Sequence, residues 1–196
     1  VGRSKAMRNY MKSIMSDECP WCVVSASTVG WAKRLYPELN DEEAYLKLWD
    51  QILSACRSTG DDPVAEWEEH IKVLDEKAKF LHENELVKLH ITNDLGTDLY
   101  VGLPKNHIWQ SAGSYAKKAD RFVANIPTEE VFTMPHKDET SGIVYNAKPL
   151  NYSGVLIDNF WLKFEDGKVV DFGAERGYDV LKNLLETDEG SRRIGE

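Results

Sequence analysis

The apolar residues of this chain change their repeat once, near residue 85, and that change rules out both an all-helical and an all-strand fold. Before it they recur at steps of three and four; after it they alternate. One packing mode cannot serve both periods. The chain is therefore predicted to be α+β, with a helix-rich α/β part over residues 1–84. A β-rich part with antiparallel hairpins and a closing helix follows over 85–196.

In the helical part, residues 5–15 place Ala6, Met7, Tyr10, Met11, Ile14 and Met15 at helical spacing. Ser27-Thr28 can cap a short helix through Leu35 that ends before Pro37. Asn40 with Glu43 reads as a capping box, opening a helix whose face is Ala44, Tyr45, Leu48, Trp49, Ile52, Leu53 and Cys56. Asp61-Asp62-Pro63 opens a third helix, with Trp67, Ile71, Leu74, Ala78 and Leu81 on one stripe. His70 and His82 on it read as surface or boundary residues. Between the first two helices lies Cys19-Pro20-Trp21-Cys22, then Val23 to Ala26, which reads as a short buried strand. A redox CxxC follows a strand and opens a helix; here the order is reversed, and no second CxxC or nearby His completes a zinc site. Buried packing is the reading for these thiols.

In the strand part, Val87, Leu89 and Ile91 alternate with polar residues, Asn93 to Gly96 is a turn, and Leu99, Val101 and Leu103 alternate back. Ile143 to Ala147 reads as a strand and Asn151 to Gly154 as a turn. Leu156, Asp158, Phe160, Leu162 and Phe164 are expected on one face of a long strand. Glu165-Asp166-Gly167-Lys168 is a hairpin turn returning through Val169 to Phe172. Helical spacing resumes from Glu175.

The stretch that invites chemistry is Asn125 to Gly142. It holds Glu129, Glu130, His136, Asp138 and Glu139 around Pro127 and Pro135, which push their preceding residues out of helix. Hard carboxylate oxygens and an imidazole on a constrained loop suit a divalent metal. A merely solvated acidic loop is the plainer alternative. Lys117, Lys118 and Arg121, just before it, either balance its charge or stand in solvent.

A net charge of −9 argues against a nucleic-acid surface. No apolar run approaches a membrane span, and three cysteines in 196 residues suggest a reducing cytoplasm rather than a disulfide framework. The chain opens on Val1 and closes on Glu196, which reads as a piece of something longer.

The order CPWC, GTDLYVGLP, IPTEEVFTMPHKD, DNFWLKFEDGKVVDFGAERG and LLETDEGSRRIGE resembles the M29 family of metallo-aminopeptidases, the AmpS/AmpT/PepS type, over nearly the whole chain. The resemblance implies a cytoplasmic, dimeric enzyme that removes N-terminal residues from peptides with two divalent ions: zinc, cobalt or manganese. Carried over residue by residue, it implies Glu130 as a metal ligand, with Glu129 as the adjacent alternative. It also implies Glu196 as a ligand or as the base that activates water. His136 is expected to stabilise its loop or line the cleft. The family's remaining ligands, a glutamate, two histidines and an aspartate, and its catalytic tyrosine lie beyond the Gly-Glu pair that ends this chain. The chain alone is therefore expected to be incomplete and inactive. The competing reading is a non-catalytic binding or structural piece.

Overall fold

A computed structural model describes residues 6–117 and 121–195. In chain order the first elements are α1 (Arg8–Met15), β1 (Val23–Val24), α2 (Val29–Leu35), α3 (Asp41–Ala55) and α4 (Pro63–Glu83). Then come β2 (Lys88–Thr92), β3 (Asp98–Gly102), β4 (Gly113–Tyr115), β5 (Arg121–Val123), β6 (Asn125–Ile126), β7 (Thr140–Tyr145) and β8 (Leu150–Tyr152). The last are β9 (Val155–Glu165), β10 (Lys168–Arg176), α5 (Tyr178–Leu185) and a 3-10 turn at Gly190–Arg192. The architecture is α+β. Two compact units divide it: Val1–Phe80 with Gln110–Val131, and Leu81–Trp109 with Phe132–Glu196. The first crossing lies near the change of period, and residues 110–131 group with the helices rather than with the strands that precede them.

The first unit starts its helices where the local chemistry directs. Thr28 accepts the Trp31 N–H on its hydroxyl at 3.2 Å. Asn40 accepts the Glu43 N–H at 2.9 Å while its own N–H donates to Glu43 at 3.2 Å, closing the capping box. Asp62 accepts the Ala65 N–H at 3.0 Å at the start of α4. The core is Ala32, Ala44, Leu48, Ile52 and Cys56, with Tyr36, Leu39, Trp49 and Ile126 against it. Two expectations fail here. Val23 and Val24 form a strand of only two residues, and they are 58% and 61% exposed rather than buried. β1 has one parallel neighbour, β6, so β-branched composition signalled the strand but no layer of described residues covers its side chains. Cys19 and Cys22 are exposed as well, and Cys56 alone of the three cysteines is buried.

The second unit is an antiparallel sheet in the order β10-β9-β7-β3-β2, with β8 also paired to β9. Leu99, Val101, Ile157, Phe164, Val169, Leu181 and Leu185 form one buried cluster between sheet and α5. The β9–β10 turn has φ of 48° at Asp166 and 76° at Gly167, the paired left-handed geometry that matches strand twist. Gly167 also donates its N–H to Thr140 O at 2.9 Å, and a Cβ there would sit 2.0 Å from Lys137 O. β9 does not keep one face from Leu156 to Phe164. Ile157 is fully buried and Phe164 nearly so, which strict alternation forbids. Asn159, at φ 45°, resets the phase, and Asn146 grips the next residue by accepting the Phe160 N–H at 2.7 Å. The last helix begins at Tyr178, not Glu175, because β10 runs on to Arg176 and Gly177 makes the turn at φ 76°.

Candidate functional site

β1 and β6 run parallel, with Val23 opposite Asn125 and Val24 opposite Ile126. Beyond their C-terminal ends come Ser25 on one side and Pro127 to Glu130 on the other. Together with the strands, Ser25, Pro127, Thr128 and Glu130 line a cleft of about 400 Å³. Glu130 is exposed on this rim, and its N–H points back to the Thr128 hydroxyl at 3.5 Å. Among the described residues its carboxylate has no hydrogen bond or ion pair.

Its neighbour is in the opposite condition. Glu129 accepts a hydrogen bond from Arg57 Nη2 at 2.7 Å and lies 3.6 Å from His70 Nε2. That same His70 nitrogen lies 2.8 Å from the Thr128 carbonyl, so it carries the proton and donates. The His70 side chain is 9% exposed and stands edge-on to Trp67, whose indole N–H donates to Cys56 O at 2.7 Å. Two adjacent carboxylates are thus separated by environment: one paired with a cation, one free. Sequence reading missed Arg57 and His70. The signal for His70 was its position three residues after Trp67, on the inner side of α4; nothing local marks Arg57.

The remainder of the acidic stretch does other work in the second unit. His136 donates its N–H to Gly102 O at 2.7 Å and accepts the Asp138 N–H on Nδ1 at 3.3 Å. Asp138 pairs with Arg193 at 2.8 Å, and Arg193 also holds the Lys137 carbonyl. His136 therefore braces its loop. The two described upstream cations, Lys117 and Arg121, pair outside the acidic stretch. Lys117 is 3.5 Å from Glu18. Arg121 holds Asp75 through two bonds of 2.5 and 2.6 Å, which keep the Asp75 carboxyl below its usual range, with Ser111 adding to the effect. Lys118 and Glu196 lie outside the described residues.

The whole chain, residues 1–196, matches the family described as thermophilic metalloprotease (M29). The chain belongs to the M29 family. It is similar to aminopeptidase AmpS of Bacillus subtilis, 46% identical over 192 residues that make up 98% of this chain and 47% of that protein. Aminopeptidase T of Thermus aquaticus is 44% identical over 194 residues, 99% of this chain and 47% of the relative. The solved structure of wild-type AmpT from Thermus thermophilus superposes with a TM-score of 0.89 at 38% identity, covering 98% of this chain and 47% of that one. The chain spans about half the length of the relatives it matches.

Against this M29 membership the donor set can be tested. Among the described residues no three or more His, Cys, Asp and Glu side chains are grouped to hold a metal ion. Glu130 fits a divalent cation in type, as a free carboxylate at a cleft, but one such donor is far from a closed shell. Desolvation pushes the Cys22 thiol up, with Cys56 adding to it, which favours the thiol over the thiolate there. No helix among the described residues is long and apolar enough to cross a membrane.

Proposed function

We propose that this chain supplies one side of the active site of a metal-dependent aminopeptidase that removes N-terminal residues from peptides. The observation that carries the reading is the free Glu130 carboxylate at the cleft rim, beside a Glu129 already paired with Arg57, in an M29 chain. Glu130, not Glu129, is then the ligand, because a carboxylate hydrogen-bonded to a guanidinium is already compensated. Glu196 would be the second ligand or the base. Two divalent ions of zinc, cobalt or manganese would supply Lewis acidity, polarising the scissile carbonyl and making water acidic enough to react near neutral pH.

The chain's own residues have simpler tasks. Glu130 holds charge at the cleft. Glu196, as base, takes a proton and passes it to the leaving amine. The acidic balance of the chain, −9, favours approach of a peptide's ammonium end. The working enzyme is proposed to be a cytoplasmic homodimer. The 196-residue chain alone is proposed to be inactive, since one free carboxylate leaves an ion mostly hydrated.

Glu130→Gln in the protein at its full natural length tests the reading. The variant is expected to lose bound metal and to release a chromogenic amine from an aminoacyl substrate at least about 100-fold more slowly. Metal content and turnover both at the parent level would defeat it, and would favour a binding or structural role for the acidic loop.

A further inference from the structure

α3 ends in a reversal that carries an unexpected residue. The Arg57 N–H donates to Ser54 O at 3.1 Å and the Ser58 N–H to Leu53 O at 2.9 Å. These paired bonds close a helix when the residue after the C-cap turns left-handed. That residue is Arg57, at φ 52°. Glycine adopts this conformation without steric cost and is the usual occupant; arginine pays for its Cβ. What the position gains is reach: the guanidinium meets Glu129, 72 residues further along. His70, nearly buried and held against Trp67, donates to the Thr128 carbonyl. The two grips fall on consecutive residues, and Glu130 follows immediately.

We infer that Arg57 and His70 are positioning residues for Glu130, clamping the two residues before it so that its carboxylate, and not that of Glu129, is presented to the cleft. The inference rests on the reading of Glu130 as a metal ligand. Neither residue lines the cleft that Glu130 lines. Arg57 occupies the neighbouring carboxylate, and His70 fixes the peptide plane ahead of it. The left-handed backbone at Arg57 is what carries its guanidinium to Glu129.

The test uses zinc as the probe, with the protein at its full natural length. Zinc affinity is measured by competition with a chelating dye, and Tm is measured without metal. Arg57→Gly is expected to melt at or above the parent Tm, since it relieves the left-handed arginine, yet to bind zinc about 10–100-fold more weakly. His70→Ala is expected to weaken zinc binding to a similar degree. In a Glu130→Gln background neither substitution should weaken zinc further, because the clamp acts only through Glu130. Zinc affinity of Arg57→Gly within about twofold of the parent would overturn the inference while leaving Glu130 as a ligand. So would losses that persist undiminished in the Glu130→Gln background, which would mark a general structural effect. If Glu130→Gln itself binds zinc as the parent does, the ligand reading fails first and takes the clamp with it.

Discussion

The two units handle their apolar and charged residues differently. In the second, one cluster from Leu99 to Leu185 buries its side chains between sheet and helix, and the acidic loop residue Asp138 is tied to Arg193. In the first, the helical core is well closed around Ala32, Ala44 and Leu48, but Val23 and Val24 stand exposed on a two-residue ribbon. Beside that ribbon Glu130 has no partner among the described residues, and Arg57 holds a left-handed backbone. The lesson is that side chains are covered or paired where a core is built and left open at the cleft, whereas left-handed residues such as Arg57, Asn159 and Asp166 occur in both units. An unpaired carboxylate and exposed valines contribute little to folding; they are intelligible as the rim of a site.

Four substitutions break or sharpen that contrast. Ile157→Ala removes a fully buried side chain from the second unit and is expected to cost about 3 kcal/mol in urea denaturation; a loss below about 1 kcal/mol would mean the cluster is looser than its burial implies. Gly167→Ala puts a methyl group against Lys137 O, 2.0 Å away, at φ 76°. It should cost about 2 kcal/mol or more, and an unchanged unfolding midpoint would show that the hairpin turn is not docked there.

Asp75→Asn should cost about 1 kcal/mol or less at neutral pH, because the Arg121 pair is 31% and 38% exposed. Its pH dependence has a defined sign. The folded carboxyl lies below its usual range, chiefly through the Arg121 hydrogen bonds. The contribution is therefore complete above the unfolded value, about 3.9, and is lost as pH falls through the lower, folded one. The stability gap between parent and variant should close only in acid; closure near neutrality would exclude Asp75 as its source. Smallest of all, Val24→Thr should change stability by no more than about 0.5 kcal/mol, since the side chain is already 61% exposed. A drop like that of Ile157→Ala would erase the distinction between ribbon and core.

Much of the fold was legible from short-range pattern. The Asn40–Glu43 box, the start of α4 at Asp62-Pro63 and the Asp166-Gly167 turn all stand where the sequence puts them, because each depends on atoms within four residues. The misreadings share one cause. Whether Val23, Cys19 and Cys22 are buried depends on what lies over them, which β-branching and spacing do not encode. The face of β9 changes at Asn159, a single left-handed residue that a count of alternating positions passes over. By proximity in the chain Arg121 could balance the acidic stretch or stand in solvent; it pairs instead with Asp75, 46 residues upstream.

The candidate site divides the same way. Amino-acid order was enough to bring two glutamates, an adjacent proline and an extended run together, since covalent neighbours cannot be separated. Which of the two carboxylates is neutralised could not follow from order. Glu129 and Glu130 are chemically identical and differ only in reaching Arg57 and His70, 72 and about 60 residues away in the chain. Exposed charges are largely screened beyond about 8 Å, so only the folded path of α3 and α4 past the loop could decide it.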